Sequence, residues 1–152
     1  MSEVKDRLVL ASGSPQRFSL LVEAGFEPEV RVPKVDESIL VGESANSLVE
    51  RLAVKKLNAV INQGECGVAA DTVVLVGEDI LGKPGSPNKA LKMLSCLSGK
   101  THRVITGIAL SGPKGRRSST VTTEVTWRIL SENEIVAYVQ SSEPLNLSLI
   151  HI

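Results

Sequence analysis

The chain has 152 residues, of which 42% are hydrophobic and 22% are charged, and its 17 basic side chains balance its 17 acidic ones. This length and composition are typical of one globular domain that is long enough to bury a core. A net charge of zero provides no overall field for nucleic acid or a membrane surface, so we expect neither as a partner.

Apolar periodicity and turn residues predict an alternation of strands and helices. In chain order, the predicted elements are a strand at 8–11, a helix at 15–24, an extended segment at 27–35, a helix from near 44 to 61, a strand at 67–76, a turn at 77–79, a helix at 88–97, strands at 102–110 and 119–129, and a helix at 133–140. Serine followed by proline at 14–15 and 86–87 is typical of a helix start. This order predicts an α/β or α+β fold in a single domain over residues 1–152.

The loop SGSPQR at 12–17 leads into the first helix and places an arginine in the helix's first turn. A helix N-terminus carries unpaired N–H groups and partial positive charge, so an arginine there is unfavourable by about 0.3–1 kcal/mol. Arg17 is explained if an anion binds here, with Ser12 and Ser14 supplying hydroxyls and Gly13 an unhindered N–H. The alternative is a solvated arginine on an amphipathic helix.

Two charged residues interrupt apolar patterns. Lys56 falls in the middle of the apolar stripe of the second helix, so it either reaches out to solvent or meets an anion such as a phosphate or a carboxylate. Asp71 interrupts the most strand-like run of the chain, where an unpaired buried carboxylate costs several kcal/mol. It should therefore face a cation, unless the strand ends there in solvent. The candidate cations are a metal ion, Arg17, Lys56 and Lys83.

An acidic pair, Asp36 and Glu37, follows the extended segment at 27–35. Such a pair in a loop is usually only solvated. Together with Asp71, however, it can supply the oxygen ligands that Mg²⁺ and Mn²⁺ prefer.

Residues 77–84, GEDILGKP, have the glycine and lysine spacing of a phosphate-binding P-loop. That motif requires a serine or threonine after the lysine to hold Mg²⁺, and Pro84 has no hydroxyl. We therefore reject the P-loop and keep Lys83 as a cation held by a stiff Lys-Pro unit.

These residues form one set: cations at 17, 56 and 83, acids at 37 and 71, and a Ser/Gly loop. The set suits a polyphosphate bound with a divalent metal. The two histidines, His102 and His151, lack a serine or cysteine context, so no nucleophile–base pair is predicted. The expected chemistry is attack of water on phosphorus, with the metal and the cations neutralising charge.

The sequence also predicts a cellular compartment. Cys66 and Cys96 are far apart and match no metal-binding spacing, so we expect free thiols in a reducing environment. No stretch has the apolar run of a signal peptide or a membrane span. We therefore expect a cytoplasmic protein.

Six segments of the chain resemble, in order, those of the Maf (septum-formation-inhibitor) family of nucleoside triphosphate pyrophosphatases. They are LVLASGSPQRFSLL, VDES, ESANSLVERLAVKKL, AADTVVLVGEDILGKP, LSGKTHRVITGIAL and TEVTWRILSENEIVAYV. The resemblance runs from Leu8 to about Leu145. It implies an α/β fold like that of inosine triphosphatases, with a mixed sheet, flanking helices and a site in a cleft between two lobes.

The resemblance also implies a reaction and its residues. The family hydrolyses the bond between the α- and β-phosphates of a nucleotide with the help of a divalent metal, and a homodimer is expected. Its functional positions fall on Ser12, Arg17, Glu37, Lys56, Asp71 and Lys83. The resemblance makes Asp71 the general base, and a metal ligand that orients the water is an equally sound physical role.

Two further positions bear on the base of the nucleotide. The forms ADT and SGKTH resemble the branch of the family that acts on dTTP and UTP more than the branch that acts on 7-methyl-GTP. Thr72 and Gln16 correspond to positions that set the base, although the pyrimidine branch usually has arginine at position 16.

Residues 146–152, NLSLIHI, depart from the family pattern. The family continues there into a glycine-rich segment with a glutamine of the site, followed by closing strands. We therefore expect a chain that lacks the C-terminal part of the family fold. The alternative function is a catalytically weak or inactive form that binds nucleotides or regulates.

Overall fold

The computed structural model describes residues 6–81 and 85–140, which form four helices and a six-stranded sheet. In chain order the elements are β1 Arg7–Leu10, α1 Pro15–Glu23, β2 Glu27–Val30, α2 Ala45–Val60, β3 Gly67–Val76, β4 Asp79–Leu81, α3 Pro87–Leu97, β5 Thr101–Gly112, β6 Gly115–Thr126 and α4 Glu132–Gln140. In this part of the chain, none of the helices has the length and apolar character that crossing a bilayer requires.

The sheet is mixed, with the strand order β2-β1-β3-β5-β6 and β4 paired to β3. Strand β1 runs parallel to β2 and to β3, while β3 and β4 are antiparallel. Parallel neighbours need a crossover connection, and α1 and α2 lie in the connections that follow β1 and β2. This arrangement confirms the predicted α/β fold with a mixed sheet and flanking helices.

Polar side chains begin the helices where the sequence predicted. Ser14, Ser44 and Ser86 each accept a hydrogen bond from the backbone N–H three residues further on. Before α4, Glu134 N–H donates to Ser131 Oγ at 3.2 Å and Ser131 N–H donates to Glu134 Oε2 at 3.1 Å. This reciprocal pair is a capping box, which the serine and glutamate three positions apart in SENE, residues 131–134, predict.

The described chain divides into two compact units, each with its own core. The first contains the residues up to Asp71 and Thr106–Thr120, and the second contains Thr72–Ile105 and the residues from Val121 onward. Buried residues of the first core are Val9, Ala11, Ala53, Leu57, Ile61, Ala69 and Ala109. Those of the second core are Val74, Ala90, Leu94, Leu97, Val104, Ile135 and Val139. One domain can contain two such units, so the single domain over 1–152 stays a prediction.

In the predicted strand at 119–129, the alternation of apolar residues puts Val121, Val125, Trp127 and Ile129 on one face, and the structure agrees only in part. Val125 and Trp127 pack against the second core, but Val121 is 53% exposed and Ile129 is 82% exposed. The strand ends at Thr126, so the two-residue alternation does not continue to Ile129. β6 also ends the strand order of the sheet, where a side chain has fewer neighbours.

Gly107 in β5 marks a close approach between the sheet and α2. A Cβ at this position would overlap the carbonyl group of Val49 and lie 2.5 Å from Glu50 N. We expect Gly107→Ala to lower the free energy of unfolding by about 1–3 kcal/mol, as overpacking does. Gly112→Ala in the same strand is the control, because its nearest contact would be Cys66 Sγ at 3.9 Å. Equal stability of the two variants in chemical denaturation would contradict this prediction.

Candidate functional site

The loop after β1 and the middle of β3 meet through Arg17. Ser12 lies two residues after the end of β1 and is buried. Its Oγ accepts hydrogen bonds from Ser14 N–H at 3.1 Å and from Arg17 Nη1 at 3.2 Å. Arg17 Nη1 also donates to the carbonyl of Ala70 at 3.0 Å. The guanidinium is therefore held at β3, next to the strand residue Asp71, and does not extend into solvent from the helix face.

Ser14 is the N-cap of α1 and has a second contact within the loop. Its Oγ accepts from Arg17 N–H at 3.4 Å and donates to Gln16 Oε1 at 3.0 Å. The half-buried Gln16 side chain is thereby tied to the first turn of the helix. The predicted anion-binding loop is thus ordered by its own hydroxyl groups.

Lys56 connects α2 to two carboxylates. Its Nζ lies 2.7 Å from Asp71 Oδ1 and 2.5 Å from Glu37 Oε1. The side chains of Lys56 and Asp71 are 14% and 12% exposed, whereas that of Glu37 is 56% exposed. The lysine in the apolar stripe therefore meets anions, and the cation that the buried Asp71 required is Lys56.

Charges of both signs surround Arg17. Burial lowers the pKa of Arg17 from its ordinary value, while the negative charges of Asp71 and Glu37 act in the opposite direction. An arginine stays protonated in proteins. Two cations, Arg17 and Lys56, thus neutralise two carboxylates within the first unit.

The carboxylates fit a metal that also binds substrate. Glu37 and Asp71 approach the same ammonium nitrogen, so one cation can contact both. Among the described residues, no three His, Cys, Asp or Glu side chains form a metal-binding group. A pair of carboxylates suits Mg²⁺, which usually keeps several waters and takes further oxygens from substrate phosphates. The donor set is therefore suited to a metal that is shared with a polyphosphate.

The remaining residues that the sequence singled out are Thr72, Lys83 and the two histidines, some of which lie outside the described residues. Lys83 lies outside the described residues. Thr72 is half-buried and follows Asp71 in β3. His102, for which the sequence suggested no partner, is buried, and its Nδ1 accepts a hydrogen bond from Trp127 Nε1 at 3.2 Å. Burial lowers the pKa of His102. His151 and the departing segment 146–152 lie outside the described residues.

Sequence reasoning missed the residues that hold the loop around Glu37. Arg51 and Lys55 of α2 both donate to backbone carbonyls of that loop. Their spacing of four residues, which puts them on one helix face, was the available signal. That signal is weak, because charged residues on an exposed helix face are ordinary.

Comparisons with known proteins give a consistent result. A family model described as Maf-like protein matches residues 7–148. The dTTP/UTP pyrophosphatase of Myxococcus xanthus (strain DK1622) is 43% identical over 141 residues, which are 91% of this chain and 71% of the relative. The dTTP/UTP pyrophosphatase of Bacillus cereus (strain AH820) is 44% identical over 146 residues, 92% of this chain and 74% of the relative. Among solved structures, the Staphylococcus aureus Ham1 protein has a TM-score of 0.53 at 18% identity, covering 80% of this chain and 71% of that one. That likeness concerns the fold alone.

Proposed function

Because the chain belongs to the Maf-like protein family, we propose that it is a nucleoside triphosphate pyrophosphatase acting on nucleotides of the dTTP and UTP type. It hydrolyses the bond between the α- and β-phosphates and releases a nucleoside monophosphate and pyrophosphate. The relatives named dTTP/UTP pyrophosphatase, which align with about nine-tenths of the chain, support this substrate class. The observation that carries the proposal is the convergence of Glu37 and Asp71 on Lys56.

The binding of the phosphates is assigned to the loop at the start of α1. Ser12 Oγ accepts two hydrogen bonds, and its own hydroxyl hydrogen can donate to a phosphate oxygen. Ser14 and the N–H groups of the helix N-terminus add further donors. Arg17, Lys56 and Lys83 supply positive charge for the phosphates, which lowers the cost of developing negative charge during the reaction.

The divalent metal, Mg²⁺ or Mn²⁺, is assigned to Glu37 and Asp71. Such an ion neutralises phosphate charge and lowers the pKa of a bound water. In this proposal Asp71 either accepts the proton of the attacking water or holds the metal. The two roles predict different dependences of the Asp71→Asn rate on metal concentration.

The choice of base is assigned to Gln16 and Thr72. The contact between Gln16 and the cap residue Ser14 links a base-selecting position to the phosphate loop. A preference for 7-methyl-GTP is the alternative substrate assignment. A homodimer and a cytoplasmic location stay predictions.

The test is release of pyrophosphate from dTTP, UTP, CTP and 7-methyl-GTP with Mg²⁺ or Mn²⁺. We expect turnover of dTTP and UTP that stops with a chelator and returns with added metal. Preferred turnover of 7-methyl-GTP would contradict the base assignment. Nucleotide binding by calorimetry without hydrolysis by the folded protein would contradict the enzyme proposal and favour a nucleotide-binding or regulatory form.

A further inference from the structure

The segment that carries Glu37 lies in no helix or strand, so side-chain contacts must position it. We propose that Arg51 and Lys55 are positioning residues that hold this segment, so that the Glu37 carboxylate is aimed at Lys56 and the metal site. This inference rests on the proposed function, in which Glu37 is a metal ligand. It adds two residues that do not touch the substrate.

Three consecutive residues of the segment, 36–38, are each held by one cation of α2. The contacts join Lys55 Nζ to the Asp36 carbonyl at 2.9 Å, Lys56 Nζ to Glu37 Oε1 at 2.5 Å, and Arg51 Nη2 to the Ser38 carbonyl at 2.9 Å. We call the two outer contacts the Glu37 clamp. The clamp holds the backbone carbonyl directly before Glu37 and the carbonyl of Ser38 after it, while more than half of the Glu37 side chain stays exposed.

Arg51 is itself held rigidly by Glu43. Its Nε lies 2.6 Å from Glu43 Oε2 and its Nη2 lies 2.8 Å from Glu43 Oε1. The Glu43 side chain is only 8% exposed, and its Oε1 also accepts from Leu40 N–H at 3.3 Å. A bidentate pair of this kind fixes the plane of the guanidinium. The bond to the Ser38 carbonyl therefore comes from a donor with a defined direction.

The segment is also closed on itself. Asp36 Oδ1 accepts hydrogen bonds from the Ser38 backbone N–H at 2.9 Å and from the Ser38 hydroxyl. This is an Asx turn, in which an aspartate side chain bonds the backbone two residues further on. Because Glu37 is the central residue of this turn, a displacement of either outer peptide moves its carboxylate.

The experiment compares two arginine variants that each lose a bidentate ion pair and a bond to a backbone carbonyl of the chain. Arg51→Met removes a bidentate ion pair and one bond to a backbone carbonyl. The control, Arg31→Met, also removes a bidentate pair, to Glu65 at 2.8 Å for both bonds, and one bond to the Val60 carbonyl at 2.9 Å. It removes in addition an ion pair to the exposed Glu29 at 3.2 Å. The two arginine side chains are similarly exposed, at 29% and 25%. Arg51→Met should nevertheless lose more thermal stability, because the Glu43 side chain that it leaves unpaired is 8% exposed and that of Glu65 is 29% exposed.

The variants are compared by the Mg²⁺ dependence of the rate and by amide hydrogen exchange. Substitution of a residue that orients a metal ligand typically lowers metal affinity or activity by about 10- to 100-fold. Arg51→Met should therefore raise the Mg²⁺ concentration for half-maximal rate by that factor. Amide hydrogen exchange, measured without nucleotide or metal, should become faster in residues 36–43. Arg31→Met should change neither quantity. Arg51→Lys should fall between wild type and Arg51→Met, because lysine cannot reproduce the bidentate pair.

Lys55→Met is a second variant that removes the other half of the clamp without disturbing the Arg51–Glu43 pair. It keeps the proposal testable if Arg51→Met does not fold, and it should show the same two effects. Unchanged exchange in 36–43, or an equal shift in Mg²⁺ dependence for Arg31→Met, would overturn the proposal. If the wild-type protein turns over no nucleotide, the proposed function fails, and the exchange data alone decide whether the clamp orders the segment.

Discussion

Replacing Asp71 by asparagine is expected to lower kcat by about 10²–10⁴-fold, the range that a positioned acid–base group contributes. Asparagine has the same shape as aspartate, and its amide oxygen can still accept a hydrogen bond from Lys56. The variant therefore removes the negative charge and the basic oxygen while preserving the packing of β3. The measurement is pyrophosphate release at saturating nucleotide over a series of Mg²⁺ concentrations.

The same series separates the two roles of Asp71. If Asp71 accepts the proton of the attacking water, kcat stays low at every metal concentration. If it is a metal ligand, raising the Mg²⁺ concentration restores part of the rate. Asp79→Asn, an exposed carboxylate in β4, is the matched control and should behave as wild type. An Asp71→Asn variant with the wild-type rate would remove Asp71 from the mechanism.

The second large effect concerns stability. Lys56→Met is expected to lower the free energy of unfolding by about 3 kcal/mol, because removal of one partner leaves a buried charge without compensation. Asp71 carries this cost, since its side chain is 12% exposed, whereas Glu37 can be solvated. Nearby Arg17 offsets part of the loss, because its charge also acts on Asp71. Methionine fits the apolar stripe of α2, so the effect reports on charge and not on a cavity.

A double-mutant cycle measured by chemical denaturation checks this interpretation. Lys56→Met combined with Asp71→Asn should recover most of the loss, since the double variant has no unpaired carboxylate at position 71. Lys92→Met, an exposed lysine of α3, is the control for loss of a helical lysine. If Lys56→Met is as stable as Lys92→Met, the ion pair with Asp71 does not contribute to folding.

The need of Lys56 and Asp71 for partners could be predicted because each residue alone contradicts its local pattern, whereas the choice of Lys56 among the four candidate cations for Asp71 required the fold. A lysine in an apolar helical stripe and an aspartate in an apolar strand both need a partner of opposite charge. Strand β3 and the starts of the helices were likewise predicted, since apolar runs and capping serines are local signals.

The surroundings of Glu37 could not be predicted in the same way. Residues 36–38 have no periodicity, and their partners in α2 are 13 to 19 positions away in the sequence. Arg51 and Lys55 look like ordinary surface residues of a helix until the fold brings the loop against them. The end of β6 is a similar case, because the alternation around Ile129 does not reveal where the pairing of the strands stops.

The hydrogen bond from Arg17 to the Ala70 carbonyl lies where the pairing of β1 with β3 ends. The hydrogen bonds between β1 and β3 proceed through Ala11 N–H and the Val68 carbonyl at 2.9 Å. In a regular parallel ladder the next donor would be the N–H of Gly13, bonded to Ala70. Arg17 Nη1 supplies that donor instead, so a side chain replaces the main chain at the point where the two strands separate.

This replacement limits how Arg17 meets a phosphate. Its Nη1 donates to both Ser12 Oγ and the Ala70 carbonyl, which uses the two hydrogens of that nitrogen. A phosphate oxygen that binds at Nη1 must therefore displace one of these bonds. Arg17 thus completes the hydrogen bonding of the sheet and contributes charge to the site. An exchange of this arginine for lysine would keep the charge and leave the strand carbonyl without its planar donor.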